Sequence, residues 1–224
     1  MAENTRQPAQ VETGSISGDL GQGGVRALHV DIEYPQVSGC PGGGTVSAFY
    51  RARAEELYRF STQGPLREAM RQKSRLGEGF VPLQVGRSFS VMYNDGRLLS
   101  IFSDSFAEMG EGGSALQRMS QTWTLSPARP PRIVPAGFFF HPGSPWTHVA
   151  CEEIARQMTQ QVKDGTSGYF SRAIQRSRRL YGYYLADDGF VFYYPVGVLG
   201  TRSLGIPSFL VPYTAFGNML ARPM

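Results

Sequence analysis

Hydrophobic and polar residues alternate from Leu28 to Tyr34, where Leu28, Val30, Ile32 and Tyr34 are separated by His29, Asp31 and Glu33. Successive strand side chains point to opposite faces, so this period predicts a half-buried strand. Pro35 and the run Gly39-Cys40-Pro41-Gly42-Gly43-Gly44 end it. The period then changes. Val46, Phe49, Tyr50, Ala54 and Leu57 recur at helical spacing, with Arg51, Arg53, Glu55 and Glu56 mostly outside the stripe, which predicts an amphipathic helix. Ser61–Gly79 carries several arginines on a weak period and suits a helix extension or a surface loop.

A hairpin follows. Val85, Phe89, Val91 and Tyr93 lead into Asn94-Asp95-Gly96, and Leu99, Ile101 and Ser103 lead out. Asp-Gly tolerates the positive φ of a tight turn, which makes this a strong local signal. Beyond Gly112-Gly113, the alternation of Met119, Gln121, Trp123 and Leu125 predicts another strand, then a proline-dense loop runs from Ser126 to Pro135. A second helix is expected from about Ser144, with Trp146, Val149, Ala150, Ile154 and Met158 on one face. Phe170, Ile174 and Leu180 suggest a short basic helix, and Tyr181–Phe216 reads as two or three strands around an Asp187-Asp188-Gly189 turn. The expected fold class is α+β, an antiparallel sheet with two main helices packed on one face. Val30, Ile32, Phe89, Val91, Ile101, Trp123, Phe190, Phe192 and Phe209 are its expected core.

Composition narrows the function. The chain has 224 residues, 41% of them hydrophobic and 12% aromatic, which is enough for a sizeable core. Residues 1–24 are polar and rich in glycine and serine, and are expected to form a disordered tail ahead of one domain over residues 25–224. This N-terminus has neither a basic stretch nor an apolar run of signal-peptide type, and no segment approaches the roughly 18 apolar residues of a membrane span, so a cytoplasmic location is expected. Cys40 and Cys151 allow one pairing, and without an export signal two free thiols are expected. The net charge of +4 comes almost wholly from arginine, since Lys73 and Lys163 are the only lysines. Arg172, Arg176, Arg178 and Arg179 sit among Tyr169, Phe170 and Tyr181, a mixture that serves single-stranded nucleic acid in some proteins. Here the helical spacing of Phe170, Ile174 and Leu180 turns those groups toward the sheet and leaves the arginines solvated, which argues against a nucleic-acid partner.

Chemistry-bearing motifs are sparse. Gly42-Gly43-Gly44 lacks the Gly-Lys-Ser/Thr ending of a phosphate loop. His148, Cys151 and Glu152 share one helix face and are weak metal-ligand candidates, but zinc needs three or four well-placed ligands and the spacing brings no fourth. There is no Gly-x-Ser-x-Gly elbow, no His-Glu-x-x-His pair and no cofactor fingerprint. Asp187-Asp188 and Glu152-Glu153 are adjacent residues whose side chains diverge. A non-catalytic module without a cofactor is the expectation.

Several pieces in order resemble a known family. They are the Tyr34-Pro35 strand end, the helix with Phe49-Tyr50-Arg51, and the Tyr93-Asn94 hairpin running into Leu99-Ser100-Ile101. Gln121-Thr122-Trp123-Thr124-Leu125, Phe139-Phe140, Gly189–Tyr194, Gly205-Ile206-Pro207 and Val211-Pro212-Tyr213 complete the series. This order resembles the domain of unknown function found in the extracellular part of the anti-sigma-V factor, a bacterial lysozyme receptor, and beside some peptidoglycan deacetylases. The resemblance implies a bacterial binding or scaffold module whose partner is an unknown protein or a cell-wall ligand. The family's company with deacetylases implies the alternative of a cell-wall hydrolase or metal-dependent enzyme. Two loops depart from the family pattern. Gly112-Gly113-Ser114-Ala115-Leu116 stands where relatives carry Gly-Gly-Ala-His-Gly, and Val196–Arg202 replaces a loop rich in tyrosine and proline. Gly112, Gly113, Ser114, Val198, Thr201 and Arg202 are therefore the candidate binding residues, on two loops expected to lie together.

Overall fold

A computed structural model describes residues 7–108, 110 and 113–221. Among these residues two sheets and four α-helices make an α+β fold. Six strands run in spatial and chain order: β1 (Gln10–Gln22), β2 (Val25–Ser38), β3 (Leu83–Asn94), β4 (Leu98–Glu108), β5 (Ser114–Ser126) and β6 (Arg129–Ile133). The second sheet has three antiparallel strands, β7 (Gly182–Leu185), β8 (Gly189–Tyr193) and β9 (Ser208–Pro212). Between β2 and β3 lie α1 (Gly43–Ser61) and α2 (Gly64–Leu76); α3 (Trp146–Lys163) and the short α4 (Ala173–Ser177) precede the second sheet.

The period-two and period-3.6 stripes pack as expected. Leu28, Val30 and Ile32 of β2 are fully buried beneath Val46, Tyr50 and Ala54 of α1, with Leu99, Ile101, Trp123 and Leu125 from β4 and β5 in the same core. Within Ser61–Gly79 the chain forms a separate helix, α2, with Pro65 near its start where a missing N–H costs nothing. At the β3–β4 turn, Asp95 Oδ1 accepts the N–H groups of Arg97 and Leu98 while Gly96 takes a φ of 76°.

The single antiparallel sheet with both helices on one face becomes two sheets sharing the helices. The α1–α2 crossover makes β2 and β3 parallel, as a long helical connection requires. While α1 and α2 cover the six-stranded sheet, α3 covers the three-stranded one, burying Ala150, Ile154 and Met158 against Phe190, Phe192, Phe209 and Val211. Two expected core positions also move. Phe89 is half-buried against the first core and Val91 is 38% exposed, while beyond them a bulge between Val91 and Tyr93 lets Met92 and Tyr93 both pack on second-sheet clusters.

Residues 10–22 overturn the expected tail. They form β1, in register with β2 from Gln10↔Ser38 to Gln22↔Val25, closed by Gly23 and Gly24 at positive φ. Val11, Ile16 and Leu20 pack on the first core, and the ring of Tyr34 lies over Gly14 so closely that an added Cβ would stand 2.6 Å from it. Small residues are needed because β2 supplies the bulk. Residues 1–6 lie outside the described ones. Deleting residues 1–22 is expected to lower the thermal midpoint by about 5–10 °C, given about 2–4 °C per kcal/mol in a chain of this size. An unchanged midpoint would mean that β1 adds nothing to the fold.

The sheets are joined by side chains that finish an open strand edge. Among the described residues no strand neighbours the outer side of β7, yet Ser120 Oγ donates to the carbonyl of Tyr183 and the N–H of Leu185 donates to Ser100 Oγ at 2.9 Å. Beside them Arg118 makes a forked bond to Asp104 at 2.8 and 2.6 Å, reaches Ser208 Oγ at 3.2 Å, and lays its guanidinium 4.0 Å over the ring of Phe102. Only 15% of that side chain is exposed, so the pair is shielded enough to lock one sheet on the other.

Candidate binding cleft

Where β7 leaves the first sheet, an open cleft of about 570 Å³ remains. Its walls are the end of β6 with Val134, Pro135 and Ala136 on one side, and Leu180, Tyr181, Gly182 and Tyr183 on the other; Trp146, Phe192 and Tyr193 contribute rings, and Ser120 and Thr122 the polar groups. Each part has a local cause. Pro130 and Pro131 are tolerated in β6 because it is an edge strand, and beyond them Arg132 and Ile133 still pair with β5 up to the cleft. Gly182 lies under Tyr193, whose ring carbon would stand 2.2 Å from any Cβ, so only glycine lets that ring fold down over β7.

The floor is rigid. Tyr183 donates its hydroxyl to the carbonyl of Val134 at 2.6 Å, Tyr193 shares a 3.1 Å bond with Ser120, and Trp146 stacks on Phe140 at 4.7 Å. The rim is exposed and positive in charge: Tyr181 is 45% exposed with the guanidinium of Arg179 at 5.1 Å from its centroid, and Arg132 lies 5.7 Å over Phe138 beside the exposed Ile133. Arg178 stands next to Arg179 in a neighbouring hollow.

Burial pushes the Tyr183 phenol up to about 12, and raises those of Tyr50, Tyr194 and Tyr213 as well. A phenol raised in the fold above its ordinary value near 10 contributes stability that is complete below about pH 10 and lost as pH rises through the folded value. Stability should therefore stay level to about pH 10 and fall toward pH 12, with tyrosinate absorbance rising in step with loss of near-ultraviolet dichroism. Full ionisation of the tyrosines while the dichroism stays native would show that these rings are not buried.

The residues singled out in the sequence fall into two other places. Arg202 Nη1 donates to the Ser114 carbonyl at 3.3 Å and lies 3.7 Å from the Cβ position of Gly113, so the two expected loops do meet. Thr201 shares a 2.8 Å bond with Ser203. Val198 is half-buried, packs on the second core and gives its carbonyl to Arg176, so its side chain faces inward. Gly112 lies outside the described residues. His148, Cys151 and Glu152 line one hollow of about 350 Å³ between α3 and α4. His148 and Glu152 pair with each other at 3.0 Å, and Cys151 donates to the carbonyls of Ser177 and Arg178 while burial raises its thiol. Among the described residues no three such side chains are placed to hold a metal ion. Both cysteines are free. The basic segment also differs from expectation: α4 spans only five residues, and Phe170 and Ile174 are exposed, with Arg176 stacked on Phe170 at 5.2 Å. The aromatic cleft had no sequence signal of its own, since Ser120, Ile133, Trp146 and Tyr181 meet only through the docking of the two sheets.

The second sheet is also where known proteins are matched. Residues 139–214, which run from the 3₁₀ turn before α3 through β9, match the model of a family described as a protein of unknown function, DUF3298. The whole fold is similar to the crystal structure of a DUF3298 family protein from Pseudomonas aeruginosa PAO1, with a TM-score of 0.62, 14% identity, and coverage of 96% of this chain and 95% of that one. It is also similar to a member of the same family from Bacteroides fragilis NCTC 9343, with a TM-score of 0.58, 15% identity, and coverage of 98% and 96%. At such identities the likeness establishes a shared fold. No curated protein matches the chain. Among the described residues no helix is long and apolar enough to cross a membrane.

Proposed function

We propose that this chain is a non-catalytic binding module that grips a segment of a partner protein in the cleft between β6 and β7. The observation that carries this reading is the combination of Trp146, Tyr181 and Tyr183 in one open hollow with arginines at its rim. Tryptophan, tyrosine and arginine are the side chains that dominate binding energy at protein interfaces. A hollow of about 570 Å³ is within the range of well-formed ligand sites and accepts an apolar side chain with its neighbours. Arg132, Arg178 and Arg179 favour acidic residues on either side of that anchor and speed the encounter.

A random peptide library panned on the purified chain tests this. Selected peptides should share an aromatic or aliphatic residue flanked by Asp or Glu, and the selection should fail on Tyr181→Ala. No enrichment, or enrichment indifferent to that substitution, would remove the cleft from the account. The resemblance to the lysozyme-receptor domain belongs to the same proposal, with the partner changed. Because the two loops lack the family's histidine and its tyrosine- and proline-rich grip, titration with lysozyme should give no saturation tighter than about 1 μM. Tighter binding would mean that the receptor function persists without those groups.

A further inference from the structure

Four strand edges end the two sheets, and three are closed. Pro130, Pro131 and the flanking arginines guard β6, the hydroxyls of Ser100 and Ser120 cap β7, and Gln157 Nε2 donates to the outward carbonyl of Leu210 on β9 at 2.6 Å. The fourth is β1. It is 13 residues long, it ends the order of the six-stranded sheet, and among the described residues no side chain caps its backbone. It holds no proline, lysine or arginine, the residues that commonly keep an edge from pairing.

The centre of β1 reads the same in both directions about Ile16, Gly14-Ser15-Ile16-Ser17-Gly18, and Gln10 and Gln22 are also equidistant from it. An antiparallel pair of identical strands related by a two-fold axis sets residue 16−n opposite residue 16+n. In that register Ser15 faces Ser17, Gly14 faces Gly18 and Ile16 faces itself. Glu12 then lies opposite Leu20, and Asp19 opposite Thr13, so no like charges meet. Asp19 is in any case held within its own chain by Arg26 at 3.0 Å and His29 at 2.6 Å. Ile16 is half-exposed at the margin of the first core, and its twin would cover the remainder.

We propose that β1 is a homodimer interface, in which a second copy of this chain adds its own β1 antiparallel about Ile16 and makes one continuous twelve-stranded sheet. A two-fold interface must be self-complementary, and the short palindrome Gly14–Gly18 supplies small, matching side chains on either side of the axis. A shared ladder of main-chain bonds supplies the attraction, as in other strand additions.

Sedimentation equilibrium tests it on the full chain. The wild type should be dimeric at about 100 μM and dissociate on dilution toward about 1 μM, a range typical of a modest interface. Ser15→Lys with Ser17→Lys places like charges opposite each other at two points and should leave a monomer with an unchanged thermal midpoint at low concentration. Ile16→Cys, in a background with Cys40→Ser and Cys151→Ser, reads the register: facing residues in such a pair stand within disulfide reach, so mild oxidation should give a covalent dimer, whereas Thr13→Cys should not. A monomer at every concentration, a dimer that survives the two lysines, or cross-linking that ignores position would overturn the proposal. The cysteine variants decide it even where the lysine variant fails to fold.

Discussion

Replacing Trp123 with alanine is expected to lower stability by about 4–5 kcal/mol, near the upper end for a single core truncation. The indole is 4% exposed on β5 and packs edge-on against Phe49 at 5.2 Å and Tyr50 at 6.2 Å. Three interlocked rings from a helix and a strand meet here, so truncating one leaves a large cavity. A second cost is added at Tyr50, whose hydroxyl accepts the indole N–H at 3.1 Å. With that partner gone, a buried hydroxyl loses one of its bonds, which costs about 1 kcal/mol or more. Urea denaturation reads the loss directly, as a lower midpoint with an unchanged slope. A change below about 1 kcal/mol would mean that the first core is not organised around this ring.

Phe190→Ala should cost about 3–5 kcal/mol through the second core. Phe190 is fully buried on β8, and its ring centroid lies 5.2 Å from Phe140, 5.3 Å from Tyr213, 5.6 Å from both Phe139 and Phe216, and 6.1 Å from Tyr183. These rings come from the turn before α3, from β7 and from the C-terminal 3₁₀ segment, so one cavity loosens three connections at once. Tyr183 also bonds Val134 across the cleft. The same substitution should therefore weaken cleft binding as well as stability, whereas Trp123→Ala should act on stability alone. Equal effects of both on binding would argue that the cleft is not built on the second core.

The regular stripes were legible because each is decided locally. The alternation in Leu28–Tyr34, the helical spacing of Val46, Tyr50 and Ala54, and the Asn94-Asp95-Gly96 turn need only a buried face or a positive φ to be satisfied. Strand β1 was hidden for the opposite reason. Gly14 is there because Tyr34 fills the space above it, and a glycine that makes room for a neighbour looks in sequence like a flexible linker. Gly14, Ile16, Gly18 and Leu20 at period two, followed by Gly23-Gly24, were the signal that could have revealed it.

The candidate site was legible in part for similar reasons. The approach of Arg202 to Ser114 was expected from the family resemblance alone, whereas the sharing of one hollow by His148, Cys151 and Glu152 followed from helix geometry. The cleft was not legible. Its walls are 61 residues apart from Ser120 to Tyr181, and they meet because Ser100 and Ser120 bolt β7 across β4 and β5 while Arg118 holds Ser208 of β9. No local pattern encodes such a docking. Exposed Phe170 and Ile174 teach the same lesson in reverse, since helical spacing promised a buried stripe where α4 proved too short to make one.

Calorimetric titration of a library-selected acidic peptide into the wild type and into Tyr181→Ala and Arg132→Glu variants tests the binding account most directly. Both side chains lie at the rim, so the thermal midpoints should stay level while affinity falls at least about tenfold, or 1.4 kcal/mol, in each variant. Affinities equal to wild type in both variants would place the ligand elsewhere on the chain and contradict the account.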